Sequence, residues 1–140
     1  MRIILISNLL LSSSSLSDVP HYHEKKIATL LHDYFRTALD APKLLGYSFH
    51  NRGPDTVFRI EIECNKSTVN KSLIFSFKAI NMLTEISKRN FTHSTLVIHF
   101  ESGALPVVAE ANIRCTKKFL SSDEIFEENW RKNCLTIKNY

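Results

Sequence analysis

Chemistry, if this sequence performs any, would come from two alternating segments. In Thr95-Leu96-Val97-Ile98-His99-Phe100-Glu101 the residues Leu96, Ile98 and Phe100 alternate with Thr95, Val97, His99 and Glu101, so on a strand His99 and Glu101 project to one side. The same alternation runs through Phe58-Arg59-Ile60-Glu61-Ile62-Glu63-Cys64 and collects Arg59, Glu61 and Glu63 on a single side. Were the two strands neighbours, an imidazole would meet several carboxylates, a set suited to zinc or to general acid–base work. Mixed charges are also the ordinary dress of a solvated sheet face, and that is the expectation adopted: a binding surface, with no catalytic residue and no metal assigned.

Other reactive patterns are weaker. His21 and His23 frame Tyr22, but at a helix start residues i and i+2 diverge, so they do not make a metal pair. No H-E-x-x-H or G-x-S-x-G pattern occurs, and three glycines are too few for phosphate-cradling loops. Cys64, Cys115 and Cys134 are widely spaced without a C-x-x-C pair, which argues against structural zinc and thioredoxin-like chemistry. In an oxidising compartment Cys115 and Cys134 are the candidate disulfide, one ending a strand and the other following the next helix; in a reducing one all three are buried thiols. Asn65-Lys66-Ser67, Asn70-Lys71-Ser72 and Asn90-Phe91-Thr92 satisfy the glycosylation triplet, although ten asparagines supply about one or two such triplets by chance.

The elements that must hold these residues can be read from periodicity. Asp18-Val19-Pro20 suits a helix start, with Asp18 as cap and proline in the first turn. Ile27, Leu30, Leu31, Tyr34, Phe35 and Ala38 then form an apolar stripe that ends near Asp40-Ala41-Pro42. A first strand follows, with Leu45, Tyr47 and Phe49 opposite Gly46, Ser48 and His50, then a turn at Asn51–Asp55 and the Phe58–Cys64 strand. From Ser67 the period becomes helical through Val69, Leu73, Ile74, Phe77, Ile80, Leu83 and Ile86. Strands at Thr95–Glu101 and Val107–Cys115 flank a turn at Ser102–Pro106. A last helix begins near Ser121 or Ser122 and carries Ile125, Phe126 and Trp130; the tail after Cys134 is a short edge strand or frayed.

This order, α-β-β-α-β-β-α, predicts an α+β two-layer sandwich: a four-stranded antiparallel or mixed sheet with helices on one face. The other face would present Arg59, Glu61, Glu63, His99, Glu101, Glu110 and Arg114 to water and to a partner. With 140 residues the chain suffices for one domain, assigned to residues 18–140, and for a core stable without cofactor or metal.

The first 17 residues read as a signal peptide. Arg2 precedes the apolar run Ile3–Leu11, a serine tract follows, and Ser15 and Ser17 stand at −3 and −1 of a cut before Asp18. The run is shorter than the roughly 20 apolar residues that span a bilayer. The competing reading makes residues 3–11 a central strand.

Composition narrows the function classes without choosing one. Apolar residues are 44% and charged residues 23%, ordinary for a globular chain. The net charge of +4, from 18 basic and 14 acidic residues, is spread in doublets and not in the dense basic stripe that phosphate binding favours. The expectation is an exported, non-enzymatic binding or assembly domain whose partner is another protein, met at the sheet face or edge. The alternative is a cytoplasmic protein that binds an anionic partner, nucleic acid or an acidic polypeptide. In outline the element order resembles bacterial secretion chaperones, which implies that chaperone-like role; those proteins are typically acidic, and this chain is basic with none of their motifs.

Overall fold

A computed structural model describes residues 20–120 and 126–139. The signal-peptide segment 1–17, the Asp18 cap and the helix start at Ser121, Ser122 and Ile125 lie outside the described residues.

Local rules account for each element. Helix α1, Glu24–Thr37, buries Ile27, Leu31 and Phe35, spaced four apart on one stripe. Strands β1, Lys43–Arg52, and β2, Asp55–Cys64, form an antiparallel hairpin. Their link needs a left-handed residue, and Gly53 supplies it at φ +61. Asn65 then ends the strand: its side-chain Oδ1 accepts from the Thr68 amide at 3.2 Å, capping the 3-10 turn Lys66–Thr68 that leads into helix α2, Val69–Glu85. Strand β3, His93–Phe100, returns parallel to β2, a pairing that needs a crossover connection such as α2 supplies. Strand β4, Val107–Asn112, runs antiparallel to β3. Helix α3, Ile113–Leu120, helix α4, Glu127–Asn133, and strand β5, Leu135–Asn139, complete the described chain, with β5 antiparallel to β4.

The class is therefore α+β and the sheet is mixed, one of the two expected forms, but it has five strands and not four, in the spatial order β1-β2-β3-β4-β5. Four helices accompany it among the described residues. The fifth strand is the tail, which finds a ladder on β4 from Ala111↔Leu135 to Val107↔Asn139.

Two boundaries differ from the periodicity. The strand expected to reach Cys115 stops at Asn112, because the Asn112 Oδ1 accepts from the Cys115 amide at 3.0 Å and starts a helix there. Ile113 and Cys115 fit an alternating pattern, yet Ile113, Thr116 and Leu120 also fit a helical one, and the cap decides between them. In β1 the register slips between Leu44 and Gly46, so Leu44, not Leu45, pairs with Ile62 on the core side. Leu45 is left half-exposed.

One apolar cluster joins the helices to a single side of the sheet. It contains Phe58, Ile60, Ile62 and Cys64 of β2, Leu96 and Ile98 of β3, and Ala109 and Ala111 of β4. Against them lie Ile27, Leu31 and Phe35 of α1, Leu73, Phe77, Ile80 and Leu83 of α2, Leu120 of α3 and Trp130 of α4. Burying each large side chain contributes on the order of 1.5–3 kcal/mol. Trp130 is fully buried, meets Phe77 edge-on at 5.2 Å between ring centroids, and donates its indole N–H to Thr116 Oγ1 at 3.0 Å. A disulfide joins Cys115 of α3 to Cys134 after α4, with Cα atoms 5.6 Å apart. Among the described residues no helix is long and apolar enough to cross a membrane.

The His21-Tyr22-His23 segment is extended, not the first turn of α1. Tyr22 forms a parallel bridge with Ser87, its amide donating to the Ile86 carbonyl at 2.7 Å and its carbonyl accepting from the Lys88 amide at 2.9 Å. These two backbone bonds hold the segment straight until His23 caps the helix.

Candidate functional site

Residues that pair across a sheet share a face, so the register defines the second surface. Lys43, Gly46, Ser48, His50 and Arg52 of β1 stand beside Glu63, Glu61, Arg59, Val57 and Asp55 of β2. Their parallel neighbours on β3 include His99, Val97, Thr95 and His93. Glu110 and Val108 of β4 and Thr136 and Lys138 of β5 extend the face. Val57 and Val97 are buried here, yet neither belongs to the apolar cluster on the helix side.

At its centre is a three-residue contact. The His99 Nε2 and Glu61 Oε1 atoms are 2.8 Å apart, and Arg59 reaches the other Glu61 oxygen at 3.0 Å. The geometry asks His99 to carry its proton on Nε2 and donate it, since the carboxylate only accepts. The hydrogen bond from His99, aided by the charge of Arg59, holds the Glu61 carboxyl below the usual carboxylate range, against the opposing effect of burial.

A second network crosses the sheet. Arg52, at the end of β1, bonds Glu110 on β4 and stands 3.9 Å from Asp55. Asp55 in turn is 3.6 Å from the His93 Nδ1, which also contacts the Thr92 hydroxyl at 3.0 Å. The bond to Glu110 raises the already high Arg52 pKa, fixing its charge. Arg52, Asp55, Arg59, Glu61 and Glu110 on this surface are thus each held by a neighbour.

The expected face residues divide accordingly. Arg59, Glu61, Glu63, His99 and Glu110 occupy the face, and β2–β3 pairing brings His99 to Glu61. Glu101 does not join them: it follows the end of β3, with its amide on the Cys64 carbonyl at 3.1 Å. Arg114 is on α3 and not on the sheet, because β4 ends two residues earlier. Sequence reading missed Arg52, Asp55 and His93, which sat at predicted turns and strand ends; the alternation of Asp55, Val57 and Arg59 was the available signal for Asp55.

Chemically, the central contact can position a proton but does not assemble a larger centre. Among the described residues no group of three His, Cys, Asp or Glu side chains could hold a metal ion. In comparisons with protein-family models, with curated proteins and with solved structures, nothing matches this chain. Any functional reading thus rests on the chemistry of the face itself.

Proposed function

We propose that this is a small exported, non-enzymatic binding or assembly domain that meets another protein across the open face of its sheet. The observation that carries the reading is the asymmetry of β2 and β3. Their helix side is an apolar core, whereas their other side is a patterned array of paired charges over buried Val57 and Val97. A partner with complementary charges would find side chains already oriented by their neighbours, which lowers the entropy lost on docking. Export is supported by the order of residues 1–17 and by the Cys115–Cys134 bridge, a bond typical of oxidising compartments.

A photo-crosslinking residue placed at Ser48, on the face, or at Met82, exposed on α2, tests the reading in the native source. Adducts from Ser48 alone, lost when Arg59 and His99 become alanine, are expected. Equal labelling from both positions, or none from Ser48, overturns it. The intact mass of the mature protein checks export separately, with loss of residues 1–17 as the expected result.

The second reading, a cytoplasmic domain that binds nucleic acid or an acidic polypeptide, draws on α3, which carries Arg114, Lys117 and Lys118 within two turns, Lys117 pairing with Glu85 of α2. Retention on a nucleic-acid column that falls steeply with salt would favour it, since phosphate binding releases counterions.

A further inference from the structure

The geometry points to a binding site for a neutral, hydroxyl-rich small molecule, a mono- or disaccharide, in the cleft between the end of α2, the start of β3 and the start of α3. This cleft has a volume of about 500 Å³, within the range of small-molecule sites. It is separate from the Glu61–His99 contact and shares Asp55, Thr92 and His93 with the second network of the open face.

Three features specify the ligand. The first is an orphan. Asn81 lines the cleft and is 5% exposed, yet its side-chain Oδ1 has no hydrogen-bond partner. A buried acceptor left unpaired is costly, so a group that brings a hydrogen to it is favoured there. A hydroxyl brings one, whereas an ionised carboxylate or phosphate does not.

The second feature is the wall. Asn90 and Asn112 add two further amides, and Thr84 and Thr92 add hydroxyl oxygens that can accept, their hydrogens being directed to the Asn81 and Thr56 carbonyls. Closely spaced donors and acceptors beside the half-buried Ile113 side chain match a sugar, which presents hydroxyls at its rim and C–H groups on its face. The third is charge balance. Asp55 and Glu85 carry two negative charges, Arg114 and Lys117 two positive, and Lys117 stands 3.4 Å from Glu85. A lining without net charge favours neither anions nor cations, which leaves a neutral ligand as the best match.

Saturation-transfer NMR on the full chain tests this, with glucose, galactose, mannose, N-acetylglucosamine and lactose as neutral probes. Glucuronic acid and glucosamine serve as charged comparators. At about 10 mM sugar, where a millimolar site is mostly filled, transfer to at least one neutral probe is expected and transfer to the charged ones is weaker. Asn81→Leu should reduce the signal at least tenfold while melting no lower than the parent chain, because it removes the orphan acceptor along with the ligand's partner. Asn90→Ala, at an exposed position, supplies a second variant with an expected several-fold loss. The inference is overturned by silence from every neutral probe, by preference for a charged one, or by unchanged binding in both variants.

Discussion

The two sides of β2 and β3 are built from alternate residues of the same strands and are held by different forces. Phe58, Ile60, Ile62, Leu96 and Ile98 on one side are buried against helices. Arg59, Glu61, His93 and His99 on the other are about a quarter to a third exposed and held by polar contacts with one another and with Asp55. Burial is non-directional and large; an exposed pair is directional, screened by salt and worth about 0–1 kcal/mol. The comparison teaches that the helix side carries most of the stability and that the open side can change with little cost to the fold.

Substitutions sharpen that contrast. The largest effect is expected from Trp130→Ala or Phe77→Ala, each costing about 3–5 kcal/mol in urea unfolding, since a cavity opens in the centre of the cluster. For Trp130 the loss includes the buried bond to Thr116. Next comes the bridge that fastens α3 to the end of α4. Replacing Cys115 and Cys134 together by serine should cost about 3 kcal/mol, read from the denaturation midpoint, for a loop closed across 19 residues.

The open side should respond less. Ile98 and Val97 are adjacent and equally hidden, but face opposite ways. Ile98→Ala is expected to cost about 2–5 kcal/mol, and Val97→Ala less than half as much, because Val97 lies outside the helix-side cluster, between Glu61 and Val108 on the neighbouring strands. Equal costs would mean that the two sides are packed alike and would break the comparison.

The smallest effect is a pH dependence. Glu61 has its pKa lowered in the folded state, so its contribution is present above the unfolded carboxyl value of about 4.3 and fades as pH falls through the lower folded value. Glu61→Gln should therefore lose well under 1 kcal/mol at pH 7 and flatten the acid limb of the stability curve. Urea midpoints measured between pH 2 and 6 check this. A variant whose acid limb parallels that of the parent would show that His99 and Arg59 do not act through this carboxylate.

Much of this arrangement could be read before the coordinates. The alternation in Phe58–Cys64 and Thr95–Phe100, and the stripe from Val69 to Leu83, appear as strand, strand and helix because each periodicity persists for at least three repeats. Shorter signals misled. Ile113 and Cys115 satisfied both periods until the Asn112 cap settled the matter, and the Leu44–Gly46 bulge shifted β1 by one residue, which flips side chains between faces. The five-residue tail carried no pattern of its own. It is a strand because β4 offered it a partner.

Composition and period by themselves determined the class, the main elements and which side of each central strand is apolar, since these depend only on residues close together in the chain. Tertiary structure alone decided that β3 lies parallel beside β2, that His99 therefore meets Glu61, that Asp55 and His93 come together, and that Asn81 faces a cleft without a partner. Those contacts join residues 38 or more positions apart, or depend on a cavity shared by several elements. A one-dimensional pattern records which way a side chain points, and only the packing of strands against one another fixes what stands opposite.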